Sequence, residues 1–184
     1  MSMHPQPVGT VPEDTARVAR AAFPKGNVYM QIRDVLGTIY DDEDFSELFE
    51  VRGRRAITPW RLALVTVMQF CEGLLDRQAA EAVRARIDWK YALGLRLSDP
   101  GFNFSVLSGF RSRLVEGGKE RLLLEKLLEG CKERGYLKVR GRQRTDSTHV
   151  LGALRILSKW ERTLHCLPSR ALAQDLVQQP ARES

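Results

Sequence analysis

Apolar residues recur at helical spacing along most of the chain, in blocks separated by turn-forming residues. Residues 1–12 depart from this pattern: Pro5, Pro7, Gly9 and Pro12 stand among few large apolar side chains and predict a flexible or extended arm. From Glu13 the pattern turns helical. Val28, Ile32, Val35, Leu36 and Ile39 fall on one helix face, and Asp41 to Glu50 sets acidic residues around Phe45, Leu48 and Phe49, as in a short amphipathic helix with its acids near the positive end of the dipole. The basic loop Arg52-Gly-Arg-Arg55 follows.

Thr58-Pro59 predicts a helix start, with the threonine as cap and a proline where no amide is needed. The stretch from Trp60 to Phe70 is apolar nearly all round, which places this helix at the centre of the core. Asp76 is expected to cap a second helix through about Ile87, burying Ala79, Ala80, Val83 and Ile87 and leaving Arg77, Arg84 and Arg86 largely outside. Joined by the turn Glu72-Gly-Leu-Leu-Asp76, the two helices form a helix-turn-helix-like pair.

Asp99-Pro-Gly101 signals a turn. Ser105 is placed to cap a helix through Glu116 that buries Leu107, Phe110 and Leu114 and turns Ser108, Arg111, Ser112 and Arg113 elsewhere, until Gly117-Gly118 stops it. Lys119 to Arg134 reads as an amphipathic helix on Leu123, Leu124, Leu127, Leu128 and Cys131, closed by Gly135. The basic connector Lys138 to Arg144 then leads into Gln143 to Val150, whose composition favours a strand. Weak helical character continues to about Trp160, and the tail lacks an apolar period, which predicts poor order over 156–184.

Composition adds a partner class. The chain of 184 residues carries a formal net charge of +6, which favours an anionic partner such as nucleic acid. Cys71, Cys131 and Cys166 are far apart, without CxxC pairing, and suggest a reducing compartment with neither disulfide nor zinc. No run reaches the roughly eighteen apolar residues of a membrane span. Three basic groups are candidates for holding DNA phosphates: Arg77, Arg84, Arg86 and Lys90; Arg111 and Arg113; and Lys138, Arg140, Arg142 and Arg144. Each group alone reads equally well as a solvated face. Arg111 and Arg113, beside Ser108 and Ser112, are the choice for base-edge contacts.

One segment suggests metal chemistry. In Arg144-Thr-Asp-Ser-Thr-His-Val150 a strand-borne Asp146 could offer a hard oxygen ligand to Mg²⁺, although an aspartate that caps or turns an element end fits the same pattern. His149, three positions on, faces the other side of such a strand, and His165-Cys166 has no partner at metal spacing.

The succession Thr58-Pro-Trp60, Leu62 to Phe70, Asp76-Arg-Gln-Ala-Ala80, Asp88 to Leu95, Phe104 to Arg111 and Thr145 to Val150 resembles the amino-terminal part of bacterial insertion-sequence transposases of the DDE class, over roughly residues 28 to 155. The resemblance implies a mainly α fold: a helical bundle with a helix-turn-helix-like region over 13–137, then a connector and the first strand of an incomplete RNase-H-like α/β domain over 138–155. It implies that the helical part binds double-stranded DNA at the element's terminal inverted repeats, in the bacterial cytoplasm at the nucleoid. By the same resemblance Asp146 is the first catalytic carboxylate and a Mg²⁺ ligand in the complete enzyme. A pair of metal ions about 4 Å apart needs several converging carboxylates. Downstream of Asp146 only Glu161, Asp175 and Glu183 are acidic. The expectation is therefore a truncated chain that grips DNA, binds no metal tightly and is inactive alone. Two alternatives stand beside it: a module that dimerises with itself or a full-length transposase through the 119–134 leucines, and a chain that lends Asp146 to a site completed by another.

Overall fold

The computed structural model describes residues 8–50 and 56–133. The described residues are mainly helical: α1 (Glu13–Ala22), α2 (Val28–Gln31) running into a π turn (Ile32–Leu36), a 3₁₀ segment (Asp42–Leu48), α3 (Pro59–Glu72), α4 (Asp76–Ala85), α5 (Ile87–Ala92), α6 (Ser105–Glu116) and α7 (Leu122–Glu133). The connector 138–144, the strand with Asp146 and His149, the loop 52–55 and the 156–184 tail lie outside the described residues.

The continuous apolar surface of α3 makes it the centre, as expected. Trp60, Leu62, Ala63, Leu64, Val65 and Met68 are buried, and α3 packs against the 3₁₀ segment, α4 and α6. Phe45, Val83, Trp89, Leu107 and Phe110 close the main core around it. Phe45 meets Phe110 edge-on at 5.6 Å between ring centroids, an arrangement the ring quadrupoles favour. A smaller cluster of Ala19, Met30 and Tyr91 joins α1 and α2 to α5.

On α7, Leu122 and Leu123 pack on the main core while Leu127 and Cys131 meet Leu36, so much of the leucine stripe is spent within the chain. Tyr40 Oη donates to Leu123 O at 2.7 Å, and Lys126 pairs with Asp44 at 2.5 Å, fastening α7 to the 3₁₀ segment.

Several local expectations need correction. Thr58 sits at the N-cap of α3 but its hydroxyl makes no capping bond; the buried Asp42, from the 3₁₀ segment, accepts the Trp60 amide at 3.2 Å instead. Ser105 is the first residue of α6, and Asn103 Oδ1 accepts its amide at 3.0 Å. The helix expected through Ile87 ends at Ala85, because Arg86 is extended (φ −89°, ψ 126°) and starts α5 in a new direction. The π turn rotates the face that begins at Val28, leaving Val35 exposed while Leu36 stays buried. Phe70, at the end of the stretch read as core, is exposed, as is Cys71 beside it. In the arm, Val8 packs on the main core and Gly9 O accepts a bond from Arg33 Nη2 at 2.6 Å, so this end of it is tied down.

Candidate nucleic-acid interface

α3 and α4 are joined by Gly73-Leu74-Leu75. Gly73 adopts a left-handed conformation (φ 65°), which an L side chain resists, and its amide closes the last turn of α3. Gln78 Oε1 reaches back to accept the Leu75 amide at 2.8 Å at the start of α4. Ala79, Ala80, Ala82 and Val83 bury one side of α4, and the opposite side presents Arg77, Gln78, Glu81 and Arg84 to solvent. Small residues on the inner side let α4 lie close to α3 while its outer side stays open to a partner.

The basic residues picked out in the sequence separate sharply in their surroundings. The Arg77 guanidinium lies 5.2 Å over the Phe104 ring, with no acidic partner among the described residues. Arg84 is exposed, pairs with Glu81 at 2.7 Å and donates from Nε to Pro100 O at 3.1 Å. Arg113 stacks 5.3 Å over Phe49, also without an acidic partner among the described residues.

Three others are committed inside the protein. Arg86 pairs with Glu72 at 2.6 Å and with Asp88 at 2.7 Å, and its guanidinium lies over both Tyr29 and Trp89. Burial pulls its pKa down, but the bonds to Asp88 and Glu72 outweigh that and hold it above the ordinary arginine value. Tyr29 Oη donates to Glu72 as well, and burial followed by that bond pushes the phenol up. Lys90 is 3% exposed; its ammonium donates to Asp99 O at 2.6 Å and Arg96 O at 3.4 Å, and burial lowers its pKa. Arg111 pairs with Asp76 at 2.7 Å, so the aspartate expected to cap α4 instead ties α4 to α6. That bond, with help from Gln69 Nε2 at 2.7 Å, draws the Asp76 carboxyl below its usual range.

Beside Arg77 an open depression of about 800 Å³ is lined by Phe70, Leu74, Leu75, Asp76, Phe104 and Arg111, among others. Leu75 is 71% exposed on its rim. Sequence reasoning missed these exposed apolar residues; an apolar pair inside a turn, Leu74-Leu75, was the available signal. Among the described residues no group of three or more His, Cys, Asp or Glu could hold a metal ion. Lys138, Arg140, Arg142, Arg144 and the expected ligand Asp146 lie outside those residues.

Residues 17–113, just over half of the chain, match the family model described as Transposase domain (DUF772). The chain belongs to that family. The match runs from within α1 through α5 and most of α6, so the transposase domain contains the α3–α4 pair and the depression beside it. Family membership supports a part in transposition. Neither the curated proteins nor the solved structures gave a match. No described helix of this transposase domain is long and apolar enough to cross a membrane.

Proposed function

We propose that this transposase domain binds double-stranded DNA through the outer side of α4, at the ends of an insertion sequence of the DDE class. The observation that carries the reading is the division of α4, the second helix of a helix-turn-helix-like pair: a small-residue side packed inward, and a solvent-facing side with Arg77 and Gln78 in the first turn and Glu81 and Arg84 further along. The first residues of such a second helix are the ones that reach base edges in a major groove. Arg77 and Arg84 supply charge for phosphates, while at base edges Gln78 can accept or donate and Glu81 can accept.

This shifts the base-reading role from Arg111 to α4, since Arg111 already spends its guanidinium on Asp76. Arg113 remains a phosphate contact in the proposal. From the sequence alone, Lys138, Arg140, Arg142 and Arg144 extend the basic track, and Asp146 serves as a metal-binding carboxylate of the catalytic domain. On this reading DNA recognition lies in the helical domain, and strand transfer needs carboxylates beyond those described.

An electrophoretic shift assay with the full chain and a duplex carrying the element's ends tests the reading. A shift at low salt that weakens steeply as salt rises is expected. Absence of a shift at low salt, or a shift indifferent to salt, overturns it.

A further inference from the structure

Arg33, from the π turn, and Arg61, from α3, converge on the carboxyl-terminal end of α5. Their guanidiniums lie 5.6 Å and 5.1 Å from the ring centroid of the same residue, Trp60. Arg61 donates from Nε to Leu93 O at 2.9 Å and from Nη2 to Gly94 O at 3.4 Å. A Cβ built on Gly94 would stand 3.6 Å from Arg33 Nη2, so both cations reach the same glycine.

Neither guanidinium has an ion-pair partner among the described residues. The acids nearest in influence are engaged elsewhere: Asp34 accepts the Tyr91 hydroxyl at 2.6 Å, Asp42 the Trp60 amide and Asp99 the Gly101 amide at 2.8 Å. Arg33 Nη1 is shut off from solvent and has no acceptor among the described residues. Two partly buried, mutually repelling cations with an idle donor are an arrangement that an anion completes. Burial, then the charge of Arg61, lower the Arg33 pKa against the opposing pull of Tyr91 and Asp34, and burial lowers that of Arg61 against the opposing pull of Asp99 and Asp42.

We propose that Arg33 and Arg61 form a binding site for a phosphate oxyanion, separate from the α4 face. Among the described residues, Arg33 Nη2 has one hydrogen-bond acceptor, the carbonyl of the exposed Gly9. A phosphate oxygen that takes that place brings a second oxygen to the neighbouring Nη1, in the two-pronged geometry that a guanidinium fork offers. Arg61 neutralises the remaining charge. The phosphate is either a phosphodiester of the nucleic-acid backbone or a free anion, and both present the same oxygens. The site does not rest on the α4 reading.

The test follows the arginine Nε–Hε signals of the full chain by NMR during titration with inorganic phosphate, and with chloride at matched ionic strength. Saturable shifts of Arg33 and Arg61 with phosphate, absent with chloride, are expected. Arg33→Lys keeps a charge but loses the fork and is expected to weaken phosphate binding about tenfold, with the amide spectrum unchanged. Signals that stay fixed, or that move equally with chloride, overturn the proposal, and the unaltered chain decides this even if the variant fails to fold. A short duplex then separates the two sources. If it moves the same two signals and phosphate competes, the backbone is the ligand; if phosphate alone moves them, the ligand is a free anion and the oxyanion site stands whether or not α4 binds DNA.

Discussion

Arg111 of α6 donates from Nη2 to the Asp76 carboxylate, the first side chain of α4, at 2.7 Å. The pair sets where α4 begins relative to α6, and Gln69 of α3 completes it with a second bond to Asp76. The three helices around the proposed DNA face are thus joined through one carboxylate.

Arg111→Gln is expected to cost about 1 kcal/mol at neutral pH, the scale of a partly exposed pair. The folded-state Asp76 pKa lies below its ordinary value of 3.8, so its contribution is complete above that value and is lost as pH falls through the folded pKa. Denaturant titrations should show wild type and variant separated at pH 7 and converging in strong acid. A gap that persists in acid would show that the loss comes from packing rather than charge.

Arg86 gives a second contrast. Arg86→Met removes the ion pairs of Glu72 and of Asp88, which is 5% exposed and keeps the bonds from Asn27 Nδ2 and the Trp89 amide. A loss of about 2–3 kcal/mol is expected, less than for a fully buried pair because Arg86 keeps some exposure. DNA affinity measured below the unfolding transition should be unchanged. Weaker binding by folded protein would return Arg86 to the interface.

Leu107 is fully buried between α6 and the main core. Leu107→Ala is expected to cost about 3 kcal/mol, combining lost transfer energy with the cavity it leaves. Thermal unfolding checks this, and a loss well below 1 kcal/mol would mean that α6 is not integral to the core.

The helical character, the central place of α3 and the buried face of α6 were legible because each rests on an apolar spacing that local geometry converts directly into a buried stripe. What escaped depended on backbone breaks and long-range partners. Arg86 looked solvent-facing only while α4 was extended through Ile87; the break there turns it toward Glu72 and Asp88, and Lys90, read as a phosphate contact, is buried on α5. Asp76 and Thr58 carry the residue types of caps, yet Arg111, distant in sequence, claims the first, and Asp42 displaces the second. At the candidate site, the outward placing of Arg77 and Arg84 followed from helical spacing alone. The convergence of Arg33 and Arg61 on Trp60 could not, since it joins a π turn, α3 and the end of α5.

The most direct test of DNA binding by α4 is fluorescence anisotropy of a labelled duplex against salt, for the wild-type chain and for Arg77→Ala with Arg84→Ala. If both side chains neutralise phosphates, the paired variant should bind more weakly and its slope of log affinity against log salt should be shallower by about two. An unchanged slope and affinity in a folded paired variant would contradict the assignment of α4 as the face that meets DNA.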